Sequence, residues 1–308
     1  MKILFMGTPD YAAVTLKELS LSNHEICGVF AQPDKPVGRK HILTPPPVKV
    51  LAEELGLKVF QPDTLKDGSA LKIIEELAPD IIVVVAYGKI LPREILNYPK
   101  YGCINGHASI LPKYRGASPI QWAIVCGETE TGVTAMYMDE GMDTGDIIKT
   151  VVTPIGEIET AEELFDRLSV LNAKLMAQTV SDIESGNVKR KKQDDEKATY
   201  APIIKKEMAE VDFNKPANEV FNAIRGYYSW PCAYFFLNGK RIKVVKAKIC
   251  ENTNLENGKV VSGKDRFIIA CADNTAIEIL ELIPEGGKRM TASAFLSGNP
   301  LKVGESLV

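Results

Sequence analysis

Through the first 150 residues, short apolar runs alternate with stretches whose apolar residues recur at helical spacing. The runs at Lys2 to Met6, Ile26 to Ala31, Lys58 to Phe60 and Ile81 to Ala86 predict strands. Ala12 to Ser20, Pro47 to Leu55 and Ala70 to Leu77 predict the helices between them. A strand as continuously apolar as Ile81 to Ala86 has no polar face to turn to water, so it belongs in a parallel sheet covered on both sides. The expected first half is therefore a doubly wound, mostly parallel, Rossmann-like α/β domain. The turn after its first strand, Gly7-Thr8-Pro9-Asp10-Tyr11-Ala12-Ala13, lacks the G-x-G-x-x-G spacing that a pyrophosphate requires, which argues against a dinucleotide.

A strand at Ile147 to Val152 and a long amphipathic helix from about Thr160 to Ser185 follow, the helix introduced by a capping signal in Thr160-Ala161-Glu162-Glu163. Gly186 to Glu207 is polar, with Lys189-Arg190-Lys191-Lys192 running into Asp194-Asp195-Glu196, and reads as a linker. Beyond it the period changes. One short helix, Ala217 to Arg225, precedes short strands at Ala233 to Leu237, Arg241 to Ile249, Gly258 to Val261, Arg266 to Cys271 and Ala276 to Ile283, separated by Asn- and Gly-rich turns. That pattern predicts a small antiparallel barrel of the oligonucleotide-binding (OB-like) kind. The expected organisation is a domain over 1–188, a basic linker over 189–207 and a barrel over 208–308.

Composition sharpens this picture in a few places. The chain of 308 residues is 45% hydrophobic and 25% charged, which supports two cores. A formal charge of −3 and a pI near 5.8 exclude a globally basic nucleic-acid binder, so any such contact must come from local patches. The six cysteines form no C-x-x-C pair and sit in apolar surroundings, as expected of free thiols in a reducing cytosol. Cysteines and the three histidines show no ligand spacing, so no metal is expected. The longest apolar run is far below a membrane span, and a cytoplasmic protein without membrane contact is the reading.

Groups able to do chemistry concentrate between Cys103 and Asp146. Asn105 and His107 lie two apart, so on a short strand their side chains leave the backbone on the same side. Asp143 sits between Gly141 and Gly145 in a loop free to aim it inward. By spacing alone, a surface histidine and a turn-forming aspartate would read the same way. The long irregular segment from Ser109 to Pro119 adds weight, because a compact domain seldom carries such a loop without a binding role. Tyr87, Gly88, Ile90 and Leu91 follow the most apolar strand at its carboxyl end, where open α/β sheets place their ligand crevice. Pro33 to Pro46 forms a proline-rich cationic loop with Gly38-Arg39-Lys40. Arg241, Lys243, Lys246 and Lys248 crowd one predicted strand, as a solvated face or as a nucleic-acid contact.

Asn105-Gly106-His107, Ser109-Ile110-Leu111-Pro112, Tyr114-Arg115-Gly116, Thr131-Gly132-Val133-Thr134 and Asp143-Thr144-Gly145-Asp146, in this order and spacing, resemble the methionyl-tRNA formyltransferase family along the whole chain. The first part also resembles the wider folate-dependent formyltransferase superfamily. Gly106 and Ile110 depart from the family's usual bulkier apolar residue and Leu, and Lys40 and His41 from its usual glycine and lysine.

The resemblance implies a formyl transfer from 10-formyltetrahydrofolate to the amino group of methionyl initiator tRNA, which serves translation initiation, by a monomer without metal. It implies Asn105, His107 and Asp143 as catalytic residues, and Ser109, Ile110, Leu111 and Pro112, with Tyr87, Gly88, Ile90 and Leu91, as the folate site. It implies Arg39 and Lys40, with Lys243 and Lys246 on the barrel, as tRNA contacts. The chemistry then expected is attack of an amine on the formyl carbon. The Asn105 amide and the His107 ring would stabilise the oxyanion, and Asp143 would fix the imidazole tautomer. The superfamily also holds enzymes acting on sugar nucleotides, and a nonenzymatic RNA-binding protein would share the barrel. The cationic loop and the added barrel favour the tRNA reading.

Overall fold

The computed structural model describes residues 1–308 apart from Arg39, Lys40, Glu251, Asn252 and Val308. The chain divides into two compact units, each assembled from three stretches of sequence: Met1–Pro119, Thr131–Thr153 and Phe165–Ala201 in the first, and Ile120–Glu130, Pro154–Leu164 and Pro202–Val308 in the second.

A seven-stranded sheet forms the centre of the first unit, in the spatial order Ile147–Pro154, Glu130–Tyr137, Cys103–His107, Ile81–Val85, Lys2–Gly7, Glu25–Phe30, Val59–Phe60. Pairings from Val59–Phe60 across to Cys103–His107 are parallel, as the apolar runs predict. Ile81–Val85 is buried along its whole length. The pairing of Cys103–His107 with Glu130–Tyr137 is antiparallel, so the sheet is mixed towards that edge. From Lys2–Gly7 the chain winds one way through Glu25–Phe30 and then returns to Ile81–Val85 on the other side. A crevice opens at such a reversal, beyond the strands' carboxyl ends. There Thr8 Oγ1 donates to the Tyr87 carbonyl at 3.0 Å.

The helix predicted from Thr160 runs Ala161–Glu184, and its start is a capping box. Thr160 N donates to Glu163 Oε2 at 2.9 Å, and Glu163 N donates back to Thr160 Oγ1 at 3.3 Å. The cationic loop is more ordered than its prolines suggest, because Lys35–Val37 and Ile42–Thr44 pair as an antiparallel hairpin. Its root is tied by Lys49 Nζ, which donates to Asp34 and to Gln61 Oε1 at 2.9 Å.

In the second unit, Tyr234–Leu237, Lys240–Cys250, Ala276–Pro284, Phe267–Ala270 and Val260–Ser262 form a curled antiparallel, OB-like sheet, with Met290–Thr291 added beside Ala276–Pro284. Phe235, Phe267 and Phe295 pack in its core, to which the helices Ala217–Gly226 and Ala292–Gly298 contribute Val220, Ile224 and Leu296. The register of Lys240–Cys250 slips between Val244 and Ala247. Ile242 and Val244 face the core before this bulge and Ala247 after it, so Arg241 and Lys243 share the outer face with Lys246 and Lys248 although strict alternation would separate them.

Candidate active site

Asn105 and His107 both lie on the strand Cys103–His107. Alternation sends their side chains to one face while Ile104 and Gly106 pack on the other. His107 is only 6% exposed. Asp143 reaches them from the loop after Glu130–Tyr137. Its Oδ1 accepts from Asn105 Nδ2 at 3.4 Å, and its Oδ2 lies 3.6 Å from His107 Nδ1 and accepts from the Gly116 N–H at 2.8 Å. The three residues predicted for chemistry are thus one cluster.

The loop around Asp143 takes the positive φ that aims a side chain inward. Asp143 itself takes the positive φ, 55°, while Gly141 and Gly145 serve by having no side chain. A Cβ on Gly145 would lie 1.9 Å from the Tyr137 carbonyl oxygen, and one on Gly141 would lie 2.0 Å from Thr144 Oγ1.

The far side of the imidazole is also engaged, since His107 Nε2 lies 2.8 Å from the Tyr114 carbonyl oxygen. A carbonyl only accepts, so Nε2 carries a hydrogen, while Nδ1 lies beside the Asp143 carboxylate. Asn105 spends one amide hydrogen on Asp143 and keeps the other for a ligand. Cys103, on the same strand, is inert: burial pushes its thiol up to about 12, and it points to the carbonyls of Ile95 and Leu96.

Ser109 is buried and closes its own loop, donating to the Lys113 carbonyl at 2.6 Å, while its carbonyl accepts from Thr134 Oγ1 at 2.7 Å. Ile110 and Pro112 are partly exposed beside it, and Leu111 is buried. In the second loop Gly88 and Ile90 are exposed, Ile90 by 73%. Tyr87 and Leu91 instead turn their side chains into the core with Leu4, Met6 and Phe30. Among the described residues the Tyr87 hydroxyl has no hydrogen-bond partner, and burial pushes its phenol up to about 12. Lys243, half-buried, and Lys246, exposed, belong to the second unit. Arg39 and Lys40 lie outside the described residues.

One contributor to the cluster escaped the sequence reading. Gln193, in the stretch taken for a linker, donates from Nε2 to the carbonyls of Asp143 and Gly145, both at 2.8 Å. Its polar, charged neighbours look like a solvated tether, and no spacing marks it out. Among the described residues no group of three or more His, Cys, Asp or Glu side chains is placed to hold a metal ion, and no helix is long and apolar enough to cross a membrane.

Residues 1–180 match the formyl transferase family and residues 203–300 the formyl transferase C-terminal domain. A methionyl-tRNA formyltransferase of Bacillus velezensis is 44% identical over 308 residues, covering 99% of this chain and 97% of that one. Another, from Caldanaerobacter subterraneus subsp. tengcongensis, is 46% identical over 309 residues and covers 100% of both. The chain belongs to the methionyl-tRNA formyltransferase family.

Solved structures share the architecture at greater distance. An N-formyltransferase from Helicobacter canadensis, in complex with folinic acid and dTDP-3-aminofucose, superposes with a TM-score of 0.70 at 22% identity, over 91% of this chain and 98% of that one. HypX from Aquifex aeolicus, in complex with tetrahydrofolic acid, gives a TM-score of 0.61 at 19% identity, over 96% of this chain and 47% of that one. At such identities the likeness is one of fold alone.

Proposed function

We infer that the chain transfers the formyl group of 10-formyltetrahydrofolate to the amino group of methionyl initiator tRNA, with Asn105, His107 and Asp143 as its catalytic residues. The carrying observation is the convergence of these three side chains, with Asp143 at 3.4 Å from Asn105 and 3.6 Å from His107, in a chain 44% identical end to end to a methionyl-tRNA formyltransferase. The amine attacks the formyl carbon and the carbonyl oxygen becomes an oxyanion. The C–N10 bond then breaks, the amine loses a proton and N10 of the folate gains one. The remaining amide hydrogen of Asn105 is a donor for the oxyanion. The His107 ring is a second donor once its Nε2–H turns from the Tyr114 carbonyl to the substrate, and the Asp143 carboxylate lies beside its other nitrogen.

For the folate, Ser109, Ile110, Leu111 and Pro112 form one wall and the exposed Gly88 and Ile90 another. Tyr87 and Leu91 support that loop from the core. Arg39 and Lys40, on the connection between Lys35–Val37 and Ile42–Thr44, contact the acceptor end of the tRNA, and Lys243 and Lys246 contact its phosphates. A cytoplasmic monomer completes the reading, and six free cysteines fit a reducing compartment.

The test is formyl transfer from 10-formyltetrahydrofolate to charged initiator tRNA, run beside uncharged tRNA and an amino-sugar nucleotide. Formylation of the charged tRNA alone is expected. Preference for the sugar nucleotide would redirect the function, and binding of RNA without turnover would make this a binding protein.

A further inference from the structure

Residues 138–146 adopt neither helix nor strand, yet Asp143 holds a left-handed backbone conformation that few side-chain-bearing residues adopt. Something outside the loop must fix it. Gln193 does so with every hydrogen-bonding position of its carboxamide. Both Nε2 hydrogens go to the carbonyls of Asp143 and Gly145, and Oε1 accepts from Arg115 Nε at 3.0 Å and Nη2 at 2.8 Å. Carbonyls only accept and a guanidinium only donates, so the amide has one possible orientation.

Arg115 is 2% exposed, carries an ion pair to Asp195 at 2.7 Å, and immediately precedes the Gly116 N–H that Asp143 Oδ2 accepts. Gln193 therefore grips both sides of the Asp143–Gly116 contact: the backbone that bears the carboxylate and the segment that bears its donor.

The stretch around Gln193 is itself stitched down. Lys191 exchanges backbone hydrogen bonds with Ile147, Arg190 stacks 3.7 Å from the centre of the Tyr137 ring, and Thr199 accepts from the N–H groups of Tyr114 and Arg115, both at 2.8 Å. We propose that Gln193 is a positioning residue of the active site, and that the polar segment 190–201 is a strap holding the Asp143 loop against the Ser109 to Gly116 loop. This rests on the catalytic reading of Asp143 given above.

The experiment compares Gln193→Ala, Gln193→Glu and Asp143→Asn, with the double variant Gln193→Ala/Asp143→Asn, in steady-state formylation. Melting temperature and the stoichiometry of folate binding are measured on each protein. Gln193→Glu keeps an acceptor for Arg115 but sets a carboxylate oxygen against two carbonyls, so it should fail as Gln193→Ala does. Each is expected to lose about tenfold or more in kcat with both KM values within about threefold and folate binding stoichiometric, while in the Asp143→Asn background Gln193→Ala should cost under about threefold further.

Full additivity of the two substitutions, an active Gln193→Glu, or an effect confined to the KM for tRNA would each overturn the proposal. A fully active Asp143→Asn would instead sink the catalytic reading beneath it. Loss in Asp143→Asn beside a normal Gln193→Ala would sink only the strap.

Discussion

The carboxamide of Asn172 occupies the space that a side chain at Gly106 would need: a Cβ there would lie 2.3 Å from Asn172 Oδ1. Asn172 is fully buried on the helix Ala161–Glu184, its Nδ2 donates to Thr15 Oγ1 at 3.1 Å, and its Oδ1 has no hydrogen-bond partner among the described residues. Gly106 is thus matched by a polar residue pressed against the back of the strand that carries Asn105 and His107. Gly106→Ala should destabilise by about 1–3 kcal/mol through overpacking, and Asn172→Ala should remove most of that penalty. Urea melts of the two single variants and the double variant decide it, and purely additive losses would dissociate the pair.

Asn105→Ala and His107→Ala should each lower kcat by at least about a hundredfold, since an oxyanion donor contributes about 3 kcal/mol to the transition state. Circular dichroism should be unchanged, because neither side chain is part of the apolar cluster that packs on their face of the sheet. Near-normal rates in both would dissolve the site.

Acid should weaken the second unit through one carboxylate. Glu278, 7% exposed, takes hydrogen bonds from Arg266 and an ion pair from Lys248 at 3.2 Å, and the Arg266 contact holds its carboxyl well below the ordinary 4.5, at about 2. Its folded-state value is depressed, so its stabilisation is complete above about pH 4.5 and is lost as pH falls towards 2. Arg266 and Lys248 are half exposed, and screening limits the contribution to about 1–2 kcal/mol. Glu278→Gln should therefore be less stable than the parent at pH 7, with the gap closing by pH 2. A gap that is constant with pH would assign the loss to packing.

Lys248 is committed to Glu278, and Lys246 stands opposite Glu281 across the sheet. Reversing Lys243 and Lys246 to Glu should weaken tRNA binding and reduce the slope of log affinity against log salt by about one for each phosphate no longer neutralised, with folate binding unaffected. An unchanged slope would make this strand an ordinary solvated face.

What could be read from the sequence was governed by burial. Ile81–Val85 and Lys2–Gly7 announce a covered parallel sheet because every position but the first lysine is apolar, and Thr160 with Glu163 announces a helix start because the cap is local chemistry. Asn105 and His107 share a face because a strand repeats every two residues. The antiparallel place of Glu130–Tyr137 was not legible, since its direction is set by distant partners. The bulge in Lys240–Cys250 and the packing of Asn172 on Gly106 have the same origin. Gln193 was missed for a related reason: its partners are backbone carbonyls about fifty positions earlier, and carbonyls carry no sequence signature.

The interleaving of the two units has a consequence for biosynthesis. Trp122 and Val125 pack with Ile204, Ala209, Tyr227 and Tyr234, all within the second unit, so these early residues leave the ribosome roughly a hundred positions ahead of the surface that shelters them. At about 5–20 residues per second the wait is on the order of 5–20 s. A nascent chain halted near residue 201 would carry every strand of the seven-stranded sheet and an unsheltered tryptophan. Vectorial folding of this protein is therefore not one unit followed by the other. Chaperone contact during synthesis should centre on the Ile120–Glu130 segment.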